Sequence, residues 1–195
     1  MLNIGFVLLG YLLGSISFGI LMSRAFGLPD PRTVGSGNIG ATNIARSGKK
    51  LPAVLTLLGD AGKGWLAVFI AQQFGLSDGF ICAVGLAAFL GHLYPCFCGF
   101  IGGKGVATAV GVLLAFSGWV ALVCFATWAI VFAIWRYSSL AALVGAAVAP
   151  LAAWYFLPYT GYAATALILA LLLVWRHKSN IEKLRNGTEA GFGKK

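Results

Sequence analysis

Thirteen of the 14 Lys and Arg residues in this chain fall in alternate hydrophilic gaps between apolar runs, which fixes a membrane topology and the side on which polar chemistry collects. The basic gaps hold Arg24 to Lys50, Lys104, Arg136, and Arg176 to Lys195, whereas Gln72 to Phe80, Phe116 to Trp119 and Leu157 to Gly161 hold no Lys or Arg. Of the 14 Lys and Arg residues, only Lys63 lies inside an apolar run. Lys and Arg concentrate in cytoplasmic loops, so the basic gaps read as cytoplasmic and the bare ones as exterior.

Composition requires the same class. With 59% hydrophobic and 10% charged residues among 195, and a mean hydropathy of +0.89, the chain has too little polar surface to coat a soluble globule. It is expected to be one all-α integral membrane domain over residues 1–195. The net charge of +9 is accounted for by cytoplasmic loops facing the anionic headgroups of the lipid bilayer, with no nucleic acid partner. Cys82, Cys96, Cys98 and Cys124 lie in or beside apolar runs, and Cys96-x-Cys98 lacks the spacing and partners of a zinc site. They read as reduced packing residues. Met1 to Gly5 lacks the positive charge of a signal peptide, and its apolar run is long enough to remain in the bilayer, so no cleavage is expected.

A crossing helix needs roughly 20 apolar residues. Seven runs approach this: Asn3 to Met22, Pro52 to Phe74, Phe80 to Phe97, Val106 to Ser117, Trp119 to Trp135, Leu140 to Phe156 and Tyr162 to Trp175. An odd count from an exterior Met1 puts every basic gap inside, giving a seven-helix bundle with the N-terminus outside and the C-terminus cytoplasmic. The tryptophans near the ends of the last three spans suit an aromatic belt. The fourth span is short unless Gly102 to Gly105 adds a first turn or the segment only half crosses. Gly59 to Gly64 interrupts the second span with Asp60 and Lys63. That pair reads either as a functional group facing the protein interior or as an i, i+3 ion pair that staples helices. Gly10, Gly14, Gly111, Gly145 and Ala149 suit close helix packing, and His92 suits a hydrogen-bonded packing position.

Groups fit to bind anions gather in the basic gaps. In the stretch Gly35 to Arg46, Gly35, Gly37 and Gly40 let the backbone turn its N–H groups outward, Ser36, Asn38 and Asn43 add neutral donors, and Arg46 adds a planar fork suited to phosphate or carboxylate. Gly102-Gly103-Lys104-Gly105, with Thr108 following, precedes an apolar helix whose unpaired N–H groups and positive dipole end suit phosphate. It is not a nucleotide loop, since Cys98 and Gly105 stand where such a loop needs Gly and Ser or Thr. Ser139 lies in the third basic gap. If the last helix continues past Trp175, His177, Asn180, Ile181 and Leu184 share one face, with the charged residues turned outward.

Three motifs, Ser36-Gly37-Asn38-x-Gly40-x-x-Asn43-x-x-Arg46, Gly102-Gly103-Lys104-Gly105 with Thr108, and Arg176-His177-x-x-Asn180-Ile181, resemble those of the bacterial membrane glycerol-3-phosphate acyltransferase family that takes its acyl group from acyl phosphate. The resemblance covers essentially the whole chain. It implies transfer of the acyl group to the 1-hydroxyl of glycerol 3-phosphate, giving lysophosphatidic acid at the inner face of the bacterial cytoplasmic membrane, an early step of phospholipid synthesis. Acyl phosphate carries a good leaving group, so no covalent acyl-enzyme is required. Arg46, Lys104 and the glycine N–H groups are expected to bind the phosphates, and Ser36, Asn38, Asn43, Ser139 and Asn180 to orient the acceptor. His177 either accepts the hydroxyl proton or holds phosphate. No cofactor, metal or obligatory protein partner is expected, since the five carboxylates are scattered. The separation of His177 and Glu182 mimics the His-x4-Asp pair of soluble-donor acyltransferases, which otherwise do not resemble this chain. A competing reading is a transporter or channel for phosphate or glycerol phosphate, suggested by glycine-interrupted spans and the intramembrane charges.

Overall fold

The computed structural model describes residues 2–192. Met1, whose exterior placement starts the topology count, and Lys194 and Lys195 of the last basic gap lie outside the described residues. Those described form helices α1 (Leu2–Gly14), α2 (Phe18–Ala25), α3 (Ala41–Ala45), α4 (Lys50–Gln73), α5 (Asp78–Leu93), α6 (Val106–Phe116), α7 (Gly118–Trp135), α8 (Ser138–Phe156), α9 (Thr160–Arg176) and α10 (Lys178–Arg185), with one short 3₁₀ turn at Cys96–Cys98 and no strand. They divide into two compact units, the first ending at Ala115 and the second starting at Phe116.

Among the described residues, five helical stretches are long and apolar enough to cross a bilayer: Asn3–Ala25, α4, Asp78–Cys98, α7 and α8. The pair α9 and α10 passes the same test jointly but is bent by 61°. α6 is only 11 residues, about 16 Å of helix against a hydrocarbon core of about 30 Å. Gly102 to Gly105 adds no helical turn to it. Gly105 has φ +85, outside the helical region, and its carbonyl accepts the first bond of α6 from Ala109 at 2.8 Å.

The expected first span is broken at Ser15–Ser17. The Ser15 hydroxyl donates back to the Tyr11 carbonyl at 2.9 Å, and Ser17 caps α2 by accepting from the Ile20 N–H at 3.5 Å. Local hydroxyl bonds of this kind compete with the helix ladder and release a carbonyl. The second span shows the opposite departure, because α4 runs continuously through Gly59 to Gly64. Asp60 and Lys63 do not interrupt it: they form the expected i, i+3 ion pair at 2.9 Å, and Lys63 also donates to the Ile16 carbonyl outside the helix.

Small residues set the packing within each unit. A Cβ on Gly14 would stand 2.0 Å from the Ala88 carbonyl oxygen, and one on Gly111 would stand 1.9 Å from that of Ala61, so α1 meets α5, and α6 meets α4, backbone to backbone. In the second unit α8 buries Ala141, Ala142, Gly145, Ala146, Ala149, Ala152 and Ala153, a face that admits close neighbours without polar atoms. Trp119, Trp135, Trp154 and Trp175 are exposed, as residues facing lipid headgroups would be. Cys82 and Cys124 are buried, while Cys96 and Cys98 are half-buried, and the four form no disulfide among the described residues.

Candidate active site

In the first unit, the Gly35 to Arg46 loop is organised around Asn43. This side chain is buried; its amide donates to the carbonyls of Pro31 at 2.9 Å and Val34 at 3.1 Å, and its Oδ1 accepts from the Ser36 N–H at 2.9 Å. An amide group carries two hydrogens, and both are used by the loop. Asn43, expected to orient substrate, is therefore the scaffold on which Ser36 is held. Gly35 and Gly37 take φ +60 and +70, the left-handed region that favours glycine. A Cβ on Gly35 would also stand 2.3 Å from Asn43 Oδ1. Ser36 and Arg46 are left exposed, with Asn38 and Gly40 half-buried.

Within the second loop, Gly103 and Gly105 are buried and Lys104 is half-buried. The Gly103 N–H donates to the His92 carbonyl at 3.2 Å, tying the loop to the last turn of α5. Gly102 is equally confined, since a Cβ there would stand 2.1 Å from that same oxygen. Lys104 thus projects from a backbone fixed on both sides, immediately before the N-terminus of α6, where N–H groups and dipole favour an anion. Thr108, expected to reach phosphate, is fully buried, packs on α4 at Gly64, and has a hydroxyl without a hydrogen-bond partner among the described residues.

In the second unit, the last helix does not continue straight past Trp175. It bends at His177, the residue shared by the end of α9 and the start of α10. The His177 N–H still reaches the Leu173 carbonyl at 3.0 Å, and its ring Nδ1 lies 2.8 Å from the same oxygen. A carbonyl only accepts, so Nδ1 carries the proton, and in the neutral form of the ring the lone pair lies on Nε2. The side chain is 3% exposed. Beyond the bend, Asn180, Ile181 and Leu184 remain half-buried while Lys178, Glu182, Lys183 and Arg185 are exposed; the expected division of faces survives within α10.

Glu189 was not among the expected site residues. Its Oε1 accepts from Ser139 Oγ at 2.5 Å and from Asn180 Nδ2 at 2.7 Å, so one carboxylate fixes two of them. The tail carrying it is docked: the Phe192 N–H donates to the Arg136 carbonyl at 2.9 Å, and the Phe192 ring meets Phe132 edge-on at 5.6 Å. The sequence signal was slight, an isolated acid in a basic tail. Outside the spans, Arg32 binds Asp30 through its side chain and backbone N–H and lowers the carboxyl to about pKa 2. No three His, Cys, Asp or Glu side chains cluster as for a metal among the described residues.

Fold and loops define a helical membrane protein whose polar segments suit phosphorylated substrates. Residues 4–187 match the family described as "Glycerol-3-phosphate acyltransferase", and the chain belongs to that family. It is 65% identical to the glycerol-3-phosphate acyltransferase of Methylobacillus flagellatus, covering 99% of this chain and 98% of the relative. Identity to the glycerol-3-phosphate acyltransferase of Thiobacillus denitrificans is 54%, over 100% of both chains. Among solved structures, it resembles PlsY (YgiH), an integral membrane glycerol 3-phosphate acyltransferase, in its glycerol 3-phosphate form, with a TM-score of 0.94, 41% identity, and coverage of 99% of this chain and 96% of that one.

Proposed function

We propose that the chain transfers an acyl group from acyl phosphate to the 1-hydroxyl of glycerol 3-phosphate, releasing lysophosphatidic acid and inorganic phosphate. The observation that carries this reading is the family match over residues 4–187, which contains all three motifs. Its likeness to a membrane acyltransferase solved in a glycerol 3-phosphate form supports the same acceptor. The match spans both compact units, which supports reading residues 1–195 as one functional domain.

In the proposed reaction the acceptor hydroxyl oxygen attacks the acyl carbonyl carbon, the new C–O bond forms, and the bond from that carbon to the phosphate oxygen breaks. Arg46 and Lys104, with the N–H groups of Gly40, Gly102 and Gly105, bind phosphate and stabilise the charge that departs with it; the N–H groups of Gly37 and Gly103, expected to join them, donate instead to the Val34 and His92 carbonyls. Ser36, Asn38, Ser139 and Asn180 orient the acceptor, while Asn43, Thr108 and Glu189 support the segments that carry them. His177 Nε2 takes the hydroxyl proton. On that assignment His177→Ala loses the limb of the kcat–pH profile near neutrality; a rise in KM with the profile intact would make His177 a phosphate binder instead.

The alternation of basic and bare gaps supports seven crossings or part-crossings, an exterior N-terminus, and polar loops facing the cytoplasm of a bacterial inner membrane, with the acyl tail among the helices. Transport loses one of its supports, since α4 is unbroken. The test is purified protein mixed with palmitoyl phosphate and radiolabelled glycerol 3-phosphate. Labelled lysophosphatidic acid is expected, and its absence from a folded sample refutes the reading.

A further inference from the structure

Asp60, Lys63 and His92 form a buried polar cluster within the first unit that none of the three motifs contains. Asp60 and Lys63 are 2% and 4% exposed. Their ion pair spans 2.9 Å, and Asp60 Oδ1 also lies 3.6 Å from His92 Nδ1. Burying two charges is costly, and an apolar pair of like volume is often as stable. Stability alone is therefore a weak reason for them.

What the cluster touches gives a stronger one. Lys63 Nζ donates to the Ile16 carbonyl at 2.6 Å, the oxygen released by the break between α1 and α2. α2 in turn bears the first loop: a Cβ on Gly19 would stand 1.8 Å from the Ile39 carbonyl oxygen, so helix and loop touch backbone to backbone. On the other side, a Cβ on Gly103 would stand 2.3 Å from His92 Nε2. The outer edge of the imidazole thus abuts the residue before Lys104, while its inner edge faces Asp60.

We infer that Asp60, Lys63 and His92 are positioning residues that hold the two glycine loops in one geometry, Lys63 through the α1–α2 break and His92 through Gly103. Given the phosphate-binding roles proposed for Arg46 and Lys104, the cluster acts on substrate alignment without touching substrate. A displacement of about 1 Å in such a site costs about a hundredfold, so moderate effects on binding follow from small loop shifts.

The test uses the full chain in lipid nanodiscs with palmitoyl phosphate and glycerol 3-phosphate. His92→Ala is expected to raise KM for at least one of them about tenfold. His92→Asn keeps a nitrogen near Asp60 but cannot reach Gly103, and is expected to do the same. His92→Gln places its amide where Nε2 stood and is expected to recover most of the loss. Gly103→Ala is expected to raise KM in the wild-type background and less so in His92→Ala, where the ring it would strike is gone. Unchanged KM in folded His92→Ala overturns the positioning role, as does failure of all three His92 variants to fold, which would make the ring a support of the bundle. A wild-type chain that makes no lysophosphatidic acid sinks the acyl-transfer reading itself.

Discussion

The two units place polar groups by different means. In the first, two glycine loops rest on neighbouring backbone: Gly19 against Ile39, Gly102 against the His92 carbonyl, and Gly103 through its N–H bond to that same carbonyl. In the second, the helices meet through a face of alanines, and the polar side chains are set by one carboxylate, Glu189, on a docked tail. Backbone contact leaves no rotamer freedom to lose, whereas a side-chain clamp depends on one group that can be removed. The first unit should therefore be intolerant of added atoms, and the second of one lost acid.

The largest effect is expected where charge is taken from the first unit. Lys104→Ala should lower kcat/KM by about a hundred- to a thousandfold, the usual cost of losing a preorganised group that stabilises developing charge, with the melting temperature little changed. Steady-state kinetics at saturating acceptor checks this. Next comes Glu189→Ala, which leaves Ser139 and Asn180 without their acceptor and should reduce kcat/KM about tenfold; Glu189→Gln, still an acceptor for both, should lose less.

The contrast in tolerance is sharpened by two matched substitutions read by thermal unfolding in one detergent. Gly14→Ala drives a Cβ to 2.0 Å from the Ala88 carbonyl oxygen and should destabilise by about 1–3 kcal/mol. Gly145→Ala places its Cβ 3.4 Å from the Cys124 carbonyl oxygen, ordinary contact, and should shift stability by no more than about 0.5 kcal/mol. Equal effects would remove the distinction between the units. Smallest is the exposed Asp30–Arg32 pair. With Asp30 held near pKa 2, its contribution is fully present above the unfolded carboxylate value of about 3.9 and is lost as pH falls through about 2. Because the pair is exposed and screened, Arg32→Ala should cost well under about 1 kcal/mol at neutral pH, and an NMR titration should find the Asp30 carboxyl back in its ordinary range.

Helix positions were readable because apolar runs are contiguous in sequence. The expected Pro52 to Phe74 and Tyr162 to Trp175 appear as Lys50–Gln73 and Thr160–Arg176. What escaped depended on residues far apart. The i, i+3 pairing of Asp60 and Lys63 was legible as one of two readings, but not that Lys63 also finds the Ile16 carbonyl and Asp60 faces His92, partners separated from them along the chain. Ser15–Ser17 breaks its span through local hydroxyl bonds that an apolar flank conceals. Asn43 looked like a ligand by residue type, yet its orientation toward Pro31 and Val34 is a tertiary property. Glu189 joins Ser139 and Asn180 only once the tail is docked.

Direct transfer between two bound phosphorylated substrates, without an acyl-enzyme, is the chemical core of the account. It is tested by incubating the protein with palmitoyl phosphate and radiolabelled inorganic phosphate in the absence of glycerol 3-phosphate. No label should enter palmitoyl phosphate, because no intermediate exists to be intercepted. Labelled palmitoyl phosphate would mean that the acyl group rests on the protein and would contradict the account.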